Sequence, residues 1–138
     1  MAFRTKIRVR FGDVDRAGIA YYPKIFDYFH LAFEDFWERY MGVPYPHLVT
    51  EEHLGFPTIR AEADFRKPLR YGEELGVSVF LSRVGGTSAT FEYRIDDPRG
   101  ERCVEARLVT VCVDLRTFTK TALPQKYRAK LEACRESG

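Results

Sequence analysis

The first residues alternate in character. Phe3, Thr5, Ile7, Val9 and Phe11 fall on one side of an extended chain, and Arg4, Lys6, Arg8 and Arg10 fall on the other. Period two marks a strand with one wet face, and Gly12 ends it. After Pro23 the period lengthens. Phe26, Phe29, Phe33, Phe36, Trp37 and Tyr40 follow i, i+3, i+7, i+10, i+11, i+14 spacing, which is a helical stripe. Proline is favoured at the first helical position, and Gly42 with Pro44 closes the pattern. The spacing predicts one helix of about five turns. Its other side carries Tyr22, Ile25, Tyr28 and Ala32 and is not strongly polar. A helix apolar around much of its circumference is wrapped by other structure.

The segment from Val43 to Pro57 is Pro-rich and reads as a connection. Beyond it the pattern is mainly β. Thr58 to Phe65 is a modest strand. Leu75 to Leu81 alternates well until Gly85-Gly86 breaks it. Phe91, Tyr93 and Ile95 alternate with Glu92, Arg94 and Asp96, and Asp97-Pro98-Arg99-Gly100 is a turn by residue type. Val104 to Val113 is the most β-branched run, and Pro124 to Cys134 reads as a short, charged helix. A strand, a long buried helix and a run of antiparallel strands make an α+β chain. A single sheet curled around a central helix satisfies both halves of the pattern, as one domain over residues 1–138. Such a sheet leaves edge strands and one face exposed. Dimerisation is the usual remedy in so small a chain, and a dimer paired into a tetramer is expected.

Composition narrows the function. A net charge of +2 is too small to argue for a nucleic-acid partner. The start, Met1-Ala2-Phe3-Arg4-Thr5-Lys6, has no apolar signal core, and the uncharged apolar strings are too short to span a bilayer. The cytoplasm is therefore the expected location. Cys103, Cys112 and Cys134 are odd in number and lack C-x-x-C spacing, so reduced, partly buried thiols are expected rather than a disulfide framework or a zinc site. His30, on the long helix, reads as a packed and hydrogen-bonded side chain. His47 and His53 lie in the connecting segment, where nothing supports metal ligation.

The chemistry concentrates in Phe11 to Pro23, which reads Phe-Gly-Asp-Val-Asp-Arg-Ala-Gly-Ile-Ala-Tyr-Tyr-Pro. Two acids, Asp13 and Asp15, precede a helix start by fewer than ten residues. Backbone N–H groups at a helix N-terminus lack intrahelical partners and carry the positive end of the macrodipole. Together they favour an oxyanion, and a carboxylate held nearby supplies a base or nucleophile. An Asp before a helix is more commonly a cap or turn former, so the pattern alone leaves both roles open.

The run Gly12-Asp13-Val14-Asp15-Arg16-Ala17-Gly18-Ile19-Ala20-Tyr21-Tyr22-Pro23 resembles the signature of the 4-hydroxybenzoyl-CoA thioesterases and their relatives, which are hotdog-fold acyl-CoA thioesterases. Phe65-Arg66-Lys67-Pro68-Leu69-Arg70-Tyr71-Gly72-Glu73 resembles the family's turn before its third strand, and Gly86-Thr87-Ser88 its Coenzyme A-contacting hairpin. Thr110 to Asp114 and Leu123-Pro124 also fit, so the likeness covers nearly the whole chain. It implies a hotdog fold, an antiparallel sheet wrapped around the long helix. It also implies hydrolysis of an aromatic or fatty acyl-CoA to free acid and Coenzyme A. Asp15 matches the catalytic aspartate and Asp13 a structural neighbour. Tyr22 matches the residue whose N–H binds the thioester carbonyl. Gly18, Tyr21, Gly86, Thr87 and Ser88 match substrate-binding positions, and Arg66 and Lys67, with Arg70 and Arg83, stand near turns where Coenzyme A phosphates are expected. Some relatives carry a histidine at the position of Tyr22, and the benzoyl-type members a tryptophan at that of Tyr21. These departures leave the acyl group open.

Asp15 would attack the carbonyl to give a mixed anhydride or act as general base on water. Neither route needs a metal or any cofactor beyond the Coenzyme A carried by the substrate. Three alternatives remain: an acyl carrier protein as the thioester carrier, a hydratase, and a non-catalytic acyl-CoA-binding hotdog protein. A hydratase would need a histidine shortly after Asp15, and the stretch to Pro23 has none.

Overall fold

The computed structural model describes residues 2–136. The elements in chain order are β1 (Phe3–Arg8), α1 (Tyr22–Asp35), α2 (Tyr45–Thr50), β2 (Leu54–Gly55), β3 (Thr58–Phe65), β4 (Glu74–Val84), β5 (Ser88–Asp96), β6 (Arg102–Val111), β7 (Val113–Asp114), β8 (Thr119–Lys120) and α3 (Gln125–Ala133). Five strands form one sheet in the order β1-β4-β5-β6-β3, every neighbouring pair antiparallel. The short strands β2, β7 and β8 make a second sheet.

The sheet curls around α1, as the all-round apolar pattern requires. Phe29, Ala32, Phe33, Ile25 and Tyr28 are buried on more than one side of the helix. The helix continues through one wider π-helical stretch, Phe36–Met41, which buries Phe36 and Trp37. It stops at Gly42, whose φ of 79° only glycine adopts without strain. Phe33 stands at the centre. Its ring meets Trp37, Tyr45, Phe56 and Phe91 at centroid separations of 5.1–6.4 Å, in the edge-to-face range that favours aromatic pairs. The facing side of the sheet supplies Val77, Val79, Phe91, Tyr93, Ile95 and Val104, all buried. At the other edge, the Thr5 hydroxyl donates to Asp35 at 2.7 Å and ties β1 to the helix.

Four expectations are corrected. Phe11 does not continue the buried face of β1. The chain turns at Phe11–Asp13 and leaves Phe11 77% exposed, against the edge of Tyr71. The connection Val43 to Pro57 contains α2 and β2. Pro46 sits in the first turn of α2 and Leu48 is its buried contact. The β-branched run is divided at Cys112, whose N–H donates to Thr87 O one step beyond the end of β5; the chain then continues as β7 in the second sheet. His30 is exposed rather than packed inside, although it is stacked on Phe33 and paired with Glu34 at 2.9 Å.

The C-terminal segment closes the free stretch of β4 beyond β1. Leu81 N–H donates to Cys134 O, and Glu136 N–H donates to Leu81 O. Glu52, after α2, accepts from the Tyr127 hydroxyl and pairs with Lys126 at 2.9 Å, which fixes α3 to the other side of the core. The opposite sheet edge is β3, exposed along its length except at Ala63. Among the described residues no helix is long and apolar enough to cross a membrane.

If Phe33 anchors the core, Phe33→Ala should cost about 3–5 kcal/mol in urea unfolding. Leu31→Ala, at a half-exposed helix position, should cost no more than about 0.5 kcal/mol. Equal losses would contradict the packing described.

Candidate active site

The stretch that carries the two acids folds as a small hairpin. Asp13 O accepts Tyr21 N–H at 2.8 Å, Val14 bridges Ala20, and Asp15 N–H reaches Ile19 O at 3.0 Å. Three residues, Arg16-Ala17-Gly18, make the bend. Gly18 has φ +76° and its N–H returns to Asp15 O at 3.0 Å. This is the three-residue hairpin loop that ends on a left-handed residue, which is why a glycine stands there. The acid at its first position is also explained. Asp15 Oδ1 accepts Ala17 N–H at 2.9 Å, the side-chain turn that favours aspartate at such sites. The turn-forming reading of Asp15 therefore holds. It occupies one carboxylate oxygen of an exposed side chain, and Oδ2 has no protein partner among the described residues.

Asp13 accepts two hydrogen bonds on one carboxylate oxygen, Oδ2, from the Tyr28 hydroxyl at 2.8 Å and Arg10 N–H at 3.1 Å. Burial first, and then the Asp13 carboxylate, push the Tyr28 hydroxyl well above the ordinary tyrosine range, so it stays a proton donor. Asp13 is the structural acid of the pair.

The hairpin delivers the chain into α1. Tyr21 is extended (φ −68°, ψ 127°) and no side chain caps the helix. Lys24 N–H bonds to Tyr21 O, and Pro23 has no N–H to offer. Tyr22 N–H has no acceptor among the described residues and lies at the positive end of the helix dipole. Asp15 stands two residues along the ladder from the Asp13–Tyr21 crossing, about 7 Å at strand spacing. Asp15, Gly18, Tyr21 and Tyr22 are thus brought together by one hairpin. The Tyr21 and Tyr22 rings, with centroids 5.5 Å apart, are 52% and 62% exposed.

Leu69 to Tyr71 backs the hairpin through Ala20 N–H to Leu69 O and Tyr71 N–H to Gly18 O. Arg66 and Lys67 lie just upstream at the same end of the sheet, their N–H groups on Cys103 O. Their side chains are taken by acids, Arg66 by Glu105 at 3.2 Å and Lys67 by Glu101. Arg70 and Arg16 are exposed and have no ion pair among the described residues. Arg16 was not singled out from sequence, although it adjoins Asp15. Gly86, Thr87 and Ser88 are elsewhere. They sit at the β4–β5 hairpin, pinned by Leu123 N–H to Gly86 O and Cys112 N–H to Thr87 O. The eleven residues of β4 separate them from the Asp15 end by about 33 Å. One chain does not bring the two groups together. Arg83 belongs to that far end as well.

Two concavities flank α1. A groove of about 580 Å³ on the β1 side mixes charged side chains, among them Arg8, Arg10, Asp13 and Asp27, with Ile7, Tyr28 and Leu31. On the β3 side a slot of about 210 Å³ is lined mainly by Phe26, Phe33, Phe56, Tyr93 and Leu108. Phe26, which lines this slot, lies one turn along α1 from Tyr22. Phe56 and Tyr93 were not anticipated as site residues, because Tyr93 stands in an alternating strand that reads as core and Phe56 in a segment that reads as a connection. The cysteines are unsuited to nucleophilic work. All three are buried, and burial pushes the Cys112 thiol up to about 11. Among the described residues no group of His, Cys, Asp and Glu could hold a metal ion.

Comparison with known proteins decides the family. The family model of the thioesterase-like superfamily matches residues 9–131. The chain belongs to the thioesterase-like superfamily. A 1,4-dihydroxy-2-naphthoyl-CoA hydrolase of Nostoc punctiforme is 28% identical over 137 residues, 98% of this chain and 90% of that protein. The solved structure of a thioesterase-superfamily protein from Jannaschia sp. superposes with a TM-score of 0.91 at 28% identity, covering 98% and 94% of the two chains. A 1,4-dihydroxy-2-naphthoyl-CoA thioesterase from Synechocystis, 22% identical over 95% of this chain and 96% of its own, shares the fold with a TM-score of 0.84. The thioesterase superfamily shares one architecture, and the sheet wrapped around α1 is that hotdog fold.

Gly18→Ala should lose about 1–2 kcal/mol, because alanine is strained at that φ. Gly86→Ala, where φ is ordinary and a Cβ meets nothing within 4 Å, should be near neutral. Chemical denaturation of both variants measures the difference.

Proposed function

We propose that the hairpin–helix junction is the catalytic centre of an acyl-CoA thioester hydrolase, the reaction class of the superfamily, with Tyr22 N–H holding the carbonyl oxygen and Asp15 acting on the carbonyl carbon. The observation that carries this reading is a free N–H at a helix start beside a carboxylate with one oxygen engaged and one free. The carbonyl oxygen gains negative charge as the carbon becomes tetrahedral. A preorganised N–H aimed at it contributes about 3–4 kcal/mol. Asp15 Oδ2 bonds to the carbon, the C–S bond breaks, and Coenzyme A leaves as its thiolate. Water then opens the anhydride to the free acid and restores the carboxylate. In the general-base version Oδ2 removes a proton from the water that attacks instead. The Oδ1–Ala17 bond orients the carboxylate in either version.

For the acyl group we favour an aromatic ring over a long fatty chain. A cavity of about 150 Å³ accommodates benzene, and the slot below Tyr22 is of that order and walled by rings. The hydrolase of Nostoc punctiforme, whose named substrate is a dihydroxynaphthoyl thioester, supports the same choice. Arg16 and Arg70, which have no ion pair among the described residues, are the better candidates for the Coenzyme A phosphates. Arg66 and Lys67 are already paired, which also weakens the case for an acidic carrier protein docking on a basic rim. Gly86, Thr87 and Ser88 reach the site only from a second copy. The exposed edge β3, with Ile59 61% and Phe65 47% exposed, is the natural seam for a homodimer, itself paired into a homotetramer. The buried free thiols fit the cytoplasm.

Release of free thiol from a panel of benzoyl, 4-hydroxybenzoyl, hexanoyl and palmitoyl thioesters tests the reaction. Aromatic thioesters should turn over, and Asp15→Asn should lose at least about 10²-fold in kcat while still binding Coenzyme A. Near wild-type hydrolysis by Asp15→Asn would remove Asp15 from the mechanism. Light scattering should give a dimer or tetramer; a stable monomer would contradict a site completed by a second copy.

A further inference from the structure

Tyr93 lies on β5 with its ring against Phe29 and Phe91, centroids 5.2 and 6.5 Å away. It is 2% exposed. A buried tyrosine hydroxyl usually finds a partner, since leaving one unpaired costs about 1–3 kcal/mol. No described residue hydrogen-bonds the Tyr93 hydroxyl. It is not sealed in the core either. The only fully enclosed, unpartnered side-chain polar atom among the described residues is Trp37 Nε1, and Tyr93 lines the slot between α1 and β3. Tyr93 also borders a polar concavity on the outer face of the sheet, but its ring packs on Phe29 of α1, which puts the hydroxyl on the slot side. Burial first, and Tyr45 second, push its pKa far above the ordinary tyrosine range, so it meets a ligand as a neutral O–H. Three other polar side chains line the slot: the Thr110 hydroxyl is spent on Ala89 O at 2.9 Å, His30 is paired with Glu34 at 2.9 Å, and Thr58 lies at the exposed start of β3.

The placement relative to the junction is informative. Phe26 is four residues beyond Tyr22 along α1, about 6 Å on the helix axis, and Phe29, against which Tyr93 packs, is about 10 Å on. An aryl ring joined to a carbonyl at Tyr22 N–H would enter past Phe26 and turn its remote edge toward Tyr93. A chain of pure hydrocarbon there would leave the hydroxyl unpaired.

Resting on the thioesterase reading above, we propose that Tyr93 is a specificity-determining residue, whose hydroxyl hydrogen-bonds a hydroxyl on the ring edge remote from the thioester. The preferred substrates are then hydroxylated aromatic acyl thioesters. A site that hydrogen-bonds a substrate hydroxyl discriminates strongly against the analogue without it, because its own polar group is left stranded.

The test compares kcat/KM for benzoyl-CoA with 2-, 3- and 4-hydroxybenzoyl-CoA, in wild type and Tyr93→Phe. Wild type should prefer at least one hydroxybenzoyl thioester by about 10-fold or more, and in Tyr93→Phe that ratio should fall to within about two-fold. The Tm should hold or rise, since the change deletes a hydroxyl with no partner in the chain. A preference that survives in Tyr93→Phe, or a wild type that hydrolyses all four equally, would overturn the inference and leave the thioesterase reading intact. A wild type that hydrolyses none of these thioesters would overturn the aromatic reading and this inference with it.

Discussion

The position of every group at the junction depends on how Asp13 is held. Its carboxylate receives the Tyr28 hydroxyl from the second turn of α1 and the Arg10 N–H from the end of β1, and its carbonyl receives Tyr21 N–H. These three bonds fix the outer strand, the hairpin and the helix start relative to one another. The two that end on the carboxylate are worth about 1.5–3 kcal/mol each, as hydrogen bonds to a charged acceptor, enough to resist the fraying expected of an uncapped helix end. The first acid organises the loop, and the second can then keep one oxygen free.

The helix end can be specialised in this way because the rest of α1 is secured by packing. Its aromatic residues meet rings of α2, the sheet and α3, and Trp37 sits between Phe56 and Tyr127. Burying a large apolar side chain contributes about 1.5–3 kcal/mol, so helix stability does not rely on a polar cap at Tyr21. The first turn remains available to a ligand. The same packing tolerates an orphan, the Trp37 indole N–H, which apolar rings enclose within a wider helical stretch.

Elements with a long, regular period were legible in the sequence. The helix stripe from Phe26 to Tyr40, the alternation in β1 and the three central strands all appear where periodicity placed them. So did the acid pair before the helix, since turn chemistry and a helix start are local. Short elements were not legible. In α2, six residues offer too few turns for a period to register, and the surrounding prolines suggested a connection. Phe11 fits the alternation of β1, but the turn at Phe11–Asp13 swings it out. The roles of distant residues were hidden for a different reason. Tyr93 reads as an ordinary inward strand residue, and only its unpartnered hydroxyl beside a slot distinguishes it. The separation of Gly86–Ser88 from Asp15 follows from the length of β4 and the direction of its pairing, which the motif does not encode.

The most direct test of the junction as the catalytic centre is a crystal structure with a non-hydrolysable acyl-CoA analogue in which a methylene replaces the thioester sulfur. The ketone oxygen should lie 2.7–3.1 Å from Tyr22 N, with the free oxygen of Asp15 facing the carbonyl carbon. A carbonyl bound elsewhere, with Tyr22 N–H turned to solvent, would contradict the assignment of the helix start as the oxyanion site.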